Sequence, residues 1–202
     1  MPLERSFCSP DSVFPWRGRR DTIVFARYES GILTRVHMND FGDDPVGRPY
    51  RQTVVNSVDE IASDRLIALF NDWDARRGER VRPCWRDMEL MEIYPIAPFI
   101  HVRDIIDGGA EFRTRYWGTA LTNNLGFDAT GKMLHEYYDG RILDSSYAVY
   151  RRVLEYAAPT LHTGNVLWAG HDKEFMTFTS LVLPLDNDDG ILSHLLTGLD
   201  FG

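Results

Sequence analysis

Three extended runs close the chain, LHTGNVLW (161–168), EFMTFTSLVLPL (174–185) and ILSHLLTGLDF (191–201). Only short turns, Gly170–Asp172 and Asn187–Gly190, separate them. A parallel connection needs a crossover of about a dozen residues or more, so these runs are antiparallel neighbours. Upstream, FIHVRDI (99–105) and EFRTRYW (111–117) flank the turn DGG (107–109) and form a second hairpin, with Phe112, Thr114 and Tyr116 on one alternating face. Between the two sets lie short helical pieces at 119–125 and 130–138 and a longer helix, SSYAVYRRVLEYAAP (145–159), stopped by Pro159. The pattern predicts an α+β fold, a five-stranded antiparallel sheet with short helices and one longer helix on one face.

An amphipathic helix precedes this unit. In SDRLIALFNDWDARR (63–77), Ser63 suits the N-cap, Asp64 the positive end of the helix dipole, and Arg76 and Arg77 the last turn before Gly78. Leu66, Phe70 and Trp73 share a face that Ile67 and Leu69 widen. That stripe suits packing on the same chain's core or a partner-helix interface. Pro83, Pro95 and Pro98 mark 79–98 as loop, with a short helix near 87–92 and an extended entry into the sheet. The expected organisation is an N-terminal extension over 1–57, a helix and Pro-containing linker over 58–98, and the α+β domain over 99–202. Within the extension, TIVFARY (22–28) and ILTRVHM (32–38) read as a hairpin. RGRR (17–20) reads as a solvated tail, since three basic residues come without an apolar face.

Net charge is −8, and 1–57 hold eight Arg against seven acids, so the acidity belongs to the rest of the chain. An acidic surface disfavours nucleic acid, whose binding depends on neutralising phosphates. The two cysteines, Cys8 and Cys84, provide neither a disulfide framework nor a CxxC pair. The N-terminus lacks the apolar segment of a signal peptide, and no run reaches the ~18 apolar residues of a membrane span. The chain reads as a soluble, cytoplasmic protein without a membrane partner.

GFDATGK (126–132) has the spacing of a phosphate-binding loop, but Met133 stands where a hydroxyl must hold magnesium and Asp128 would repel phosphate. It reads instead as a connection between two short helices, with Gly126 as a left-handed C-cap and Asp128 or Thr130 capping the next turn. His135, His162, His171 and His194 lack metal-ligand spacing, and no metal site is expected. The 145–157 helix has no His to ligate a haem, and Cys84 precedes the core strands, away from the place of a photoreactive flavin cysteine. The cofactor is therefore unknown. Asp186, Asp188 and Asp189 lack the Gly and Glu spacing of a calcium loop and read as a hairpin turn. For catalysis the local pairings are His135 with Asp139 or Tyr138, too little to assign an enzyme.

Several segments occur in an order that resembles a PAS-like domain family of alphaproteobacteria. They are LFNDWDARRG (69–78), PIAPFIHVRDI (95–105), FRTRYWGTALTNNLGFDATGK (112–132), LVLPLDNDDG (181–190) and TGLDFG (197–202). The resemblance covers about 63–202. It implies a five-stranded sheet with a helical clamp, and a sensory or protein-interaction role without catalysis. It further implies a stand-alone cytoplasmic module with no output domain attached. Such a module signals through a partner protein or through a homodimer that uses helix 63–77, with Leu66, Ile67, Phe70 and Trp73 at the interface. A small organic ligand would sit among Phe112, Tyr116, His135, Tyr147, Tyr150 and Phe178, an apolar pocket with phenolic handles. A small-molecule enzyme on an α+β scaffold and a ligand-free adaptor are the alternatives.

Overall fold

A computed structural model describes residues 51–166 and 176–202. The 22–38 hairpin, RGRR, Cys8 and His171 lie outside the described residues. The fold is α+β. Six strands form one antiparallel sheet: β1 (Arg51–Val54), β2 (Ile100–Ile106), β3 (Glu111–Trp117), β4 (Thr160–Asn165), β5 (Thr177–Asp186) and β6 (Leu192–Phe201). Their order across the sheet is β1-β4-β5-β6-β2-β3. Five of them were legible as strands. The sixth, β1, falls inside the segment expected to be extension, and it extends the sheet by pairing Arg51–Val54 with Thr160–Thr163. Gln52 then reaches the long helix, its Nε2 donating to the Val149 carbonyl at 3.4 Å. The boundary expected at residue 57 therefore cuts through the sheet.

The helix α1 (Asp64–Arg77) starts at Ser63, whose hydroxyl accepts from Leu66 N, and stops at Gly78 with φ 55°. Its stripe of Leu66, Leu69, Phe70 and Trp73 is buried against Ile100, Val102, Leu181, Leu183, Leu185 and Leu196. Contact is close: a Cβ on Gly198 would lie 2.5 Å from Leu69 Cδ2. Trp73 Nε1 donates to the Pro184 carbonyl at 3.0 Å. Leu66, Phe70 and Trp73 thus serve the chain's own core, with Ile67 half-buried against it, and the interface expected on this stripe is corrected.

The second helical layer covers the opposite face of the sheet, so helices occupy both faces rather than one. It comprises α2 (Thr119–Leu125) and α3 (Gly140–Tyr156), which starts five residues earlier than the sequence pattern suggests. Gly126, at φ 86°, caps α2 in the left-handed region, as expected, and Asp128 accepts from Thr130 N at 2.8 Å in the loop that follows. The 130–138 segment is not a helix but a turn of 3₁₀ over Leu134–Glu136. Its start is drawn onto β3, where Gly131 N donates to the Thr114 carbonyl and Thr114 N to that of Lys132. The Gly-Lys pair therefore runs along a strand and does not cradle phosphate.

The packing of α1 on the sheet generates a stability prediction. Leu69→Ala should cost about 2–5 kcal/mol by leaving a cavity, and Gly198→Val about 1–3 kcal/mol by overpacking the same contact. Urea unfolding of each variant measures both, and an unchanged midpoint for either contradicts this packing.

Candidate functional site

The two faces of the sheet differ chemically. The face under α1 is aliphatic. On the face under α2 and α3, registers across the strands bring Trp117 of β3, His101 of β2, Thr197 of β6, Val182 of β5, Thr160 of β4 and Val54 of β1 into one row. A neighbouring row carries Gln52, His162, Ser180 and Leu199. Arg103 lies two residues along β2 from His101, beside Thr114 and Leu195. Gln52, His101, Arg103, Thr114, Thr160, His162, Ser180 and Thr197 are all buried.

Four side-chain atoms on this face, Arg103 Nε, Trp117 Nε1, Thr160 Oγ1 and Thr197 Oγ1, are buried with no hydrogen-bond partner among the described residues. Each such atom costs about 1–3 kcal/mol. Four together rival a domain's whole net stability of about 5–15 kcal/mol. A core selected for stability alone would not concentrate these groups in one place.

Arg103 dominates the electrostatics. It is 1% exposed and stays charged at any physiological pH. Its Nη2 donates to Tyr137 Oη at 3.1 Å, its Nη1 lies against the His101 ring nitrogens, and its guanidinium sits 4.7 Å over the Tyr150 ring. No carboxylate pairs with it among the described residues. Asp104, the next residue, points to the other face, where it holds Arg113 at 2.7 Å and pairs with Arg115 and His194. Burial pushes the Asp104 carboxyl up, and the hydrogen bonds from Arg115 and Arg113 outweigh it and hold it below the usual range.

Aromatic rings form the wall opposite. Tyr150 packs 5.2 Å from Phe112, and its ring meets His101 edge-on at 6.5 Å. Trp117 stacks on His101 at 5.6 Å and contacts Phe127 and Tyr137. Tyr137 and Tyr138 are 4.5 Å apart. Burial raises the Tyr138 hydroxyl well above its ordinary value and lifts Tyr150 to about 12. Both are neutral hydrogen-bonding groups, not counterions to Arg103.

Of the six expected pocket residues, the structure brings Phe112, Tyr150 and Phe178 to this face. Tyr147 sits at its margin, 6.3 Å from Phe112, with its hydroxyl on Glu111 Oε2 at 2.7 Å. His135 is mostly exposed and bonds the same Glu111 oxygen at 2.6 Å, so neither Asp139 nor Tyr138 is its partner. Tyr116 is on the wrong face. A register shift between Val102 and Arg103 pairs Val102 with Tyr116 but Arg103 with Thr114, leaving Arg115 as the extra residue of a bulge. The bulge reverses the alternation, sending Tyr116 toward the α1 core, where its hydroxyl donates to the Ala97 carbonyl at 3.0 Å, and turning Trp117 inward.

Sequence reasoning did not mark His101, Arg103, Trp117, Tyr137 or Thr197, and it named Tyr138 and His162 without placing them here. The trace these residues leave is the polar pair at i and i+2 in FIHVRDI, His101 and Arg103, which alternation alone reads as a solvent face. Among the described residues no cluster of three His, Cys, Asp or Glu side chains is placed to hold a metal, and no helix is long and apolar enough to cross a membrane.

Burial depresses both interior histidines, His162 to about 3 and His101 well below its usual value, Arg103 adding to the effect on His101. Below about pH 6.5 these rings take protons only when the chain unfolds. Stability is therefore complete above pH 6.5 and falls as pH drops. The expected loss approaches about 1 kcal/mol per pH unit per ring between pH 6 and 5. Urea unfolding across that range measures it; His162→Gln should show a shallower slope, and an unchanged slope contradicts the burial of a neutral His162.

No family profile matches this chain. No curated protein matches it either. A solved structure, that of an RNA-binding light-oxygen-voltage receptor, is similar over 77% of this chain and 40% of its own, with 13% sequence identity and a TM-score of 0.43.

Proposed function

We propose that this chain is a PAS-like sensory module that captures a small organic molecule between the sheet and the α2–α3 clamp. One observation carries the reading: four unpartnered buried polar atoms converge on one face of the sheet, under an aromatic clamp. Small-molecule sites have this character, mostly apolar walls with a few placed polar groups that orient the ligand. A ligand that satisfies those groups offsets their desolvation and stabilises the clamp against the sheet, which couples occupancy to the position of α3. Output then passes to a partner protein or through oligomer state. Because α1 spends its apolar stripe on the chain's own core, contacts with a partner or a second copy use other surfaces. The alphaproteobacterial PAS-like family, a cytoplasmic location and the absence of catalysis belong to the same proposal.

Native mass spectrometry of the freshly purified full chain, with an absorbance scan, tests the reading. The expected result is a small-molecule adduct that dissociates on denaturation and is reduced in Tyr150→Ala, which removes a wall of the site. Bare protein that no small aromatic compound stabilises thermally contradicts it.

A further inference from the structure

The chemistry of the unpartnered groups specifies the ligand further, on the footing of the ligand-binding reading above. Around His101, Arg103 Nε and Trp117 Nε1 are N–H donors and Thr197 Oγ1 is a hydroxyl. Trp117 and Thr197 lie on the strands either side of β2, so their backbones are about 10 Å apart at ordinary strand spacing. The His101 ring stands between them, stacked on Trp117, and Arg103 lies two residues further along the same strand.

Unpartnered N–H donors and hydroxyls on this buried face call for acceptor groups. A full positive charge out of water, without a carboxylate among the described residues, calls for an anion. The Nε–Nη2 edge of a guanidinium is the fork that takes a carboxylate side-on. Here Nε is unpartnered, and Nη2 retains a second N–H beyond the one given to Tyr137. The charge count separates a carboxylate from a phosphate. Arg103 is the one cation among the described groups of this interior, and His101 and His162 are held neutral by burial. A monoanion is neutralised there, whereas a dianion leaves a second charge buried and unpaired. The aromatic wall of Tyr150, Tyr137, Phe127 and Trp117 suits a flat apolar body.

We propose that the site binds a small aromatic monocarboxylate, with its acid group on Arg103 Nε and its ring under the clamp. Of the side chains identified from the sequence as pocket residues, Tyr150 belongs to the wall for that ring. The group that recognises the acid comes from the floor of the sheet.

The test measures binding of benzoate, 4-hydroxybenzoate, phenylacetate and indole-3-acetate to the full chain, each against its neutral amide, by titration calorimetry and thermal shift at fixed ionic strength. At least one acid should bind about tenfold or more tightly than its amide, the preference expected of a charge-assisted pair out of water. Arg103→Met should abolish that preference. Arg103→Lys covers the case in which Arg103→Met fails to fold: it keeps the charge but loses the side-on fork, so it should bind the acid more weakly while binding the amide as before, a split that a purely structural role does not produce. Acids and amides binding alike would overturn the carboxylate and leave the ligand site standing. No binding by any compound, with no adduct on the purified protein, would overturn both.

Discussion

A guanidinium sits on β2, between β6 and the edge strand β3, out of water. Removing a charge from water costs several kcal/mol even after relaxation, and Arg103 cannot escape the cost by losing its proton, as a lysine would. The surroundings are arranged to reduce it. Tyr150 offers its ring face, Tyr137 its hydroxyl oxygen, and His101 stays neutral against the guanidinium. These contacts are weaker than a carboxylate, and they leave the Nε–H unmet. The clamp therefore holds a partly compensated charge, the one that the proposed anionic ligand would complete.

The sheet separates two jobs. Under α1 its residues are aliphatic and packed closely enough that Gly198 has no room for a side chain, the character of a face built for stability. Under α2 and α3 its residues are polar, buried and incompletely bonded. A bulge at Arg115 supports the division. By reversing the alternation at the end of β3, it puts Tyr116 into the aliphatic core and Trp117, with its indole N–H, into the polar row. β1 closes the far edge of that row with Val54, and its Gln52 bonds to α3. Stability on one face permits unsatisfied groups on the other.

How much of this was legible in the sequence follows from which interactions are local. The last three strands and the first hairpin are set by alternation and short turns, and α1 by its cap and its apolar spacing. β1 was missed because RQTV is only four residues long and becomes a strand by pairing with β4, more than a hundred residues away. The 130–138 segment was misread as a helix because its backbone bonds go to β3, a tertiary preference that outweighs local propensity. Tyr116 was misplaced because strict alternation does not anticipate a bulge. Arg103 went unmarked because FIHVRDI reads as a strand with one apolar and one polar face, and a polar face ordinarily meets water. Only α3, arriving from much later in the chain, turns that face into an interior.

The central claim is that the Arg103 guanidinium waits for an acid group. The most direct measurement is an ¹⁵N NMR titration of the arginine Nε–H resonances in the full chain with the tightest-binding acid, Arg103 being assigned by Arg103→Met. The account predicts that the Arg103 Nε–H moves on binding and that the neutral amide does not move it in the same way. An Arg103 resonance that stays fixed while the acid binds would place the ligand elsewhere and contradict the account.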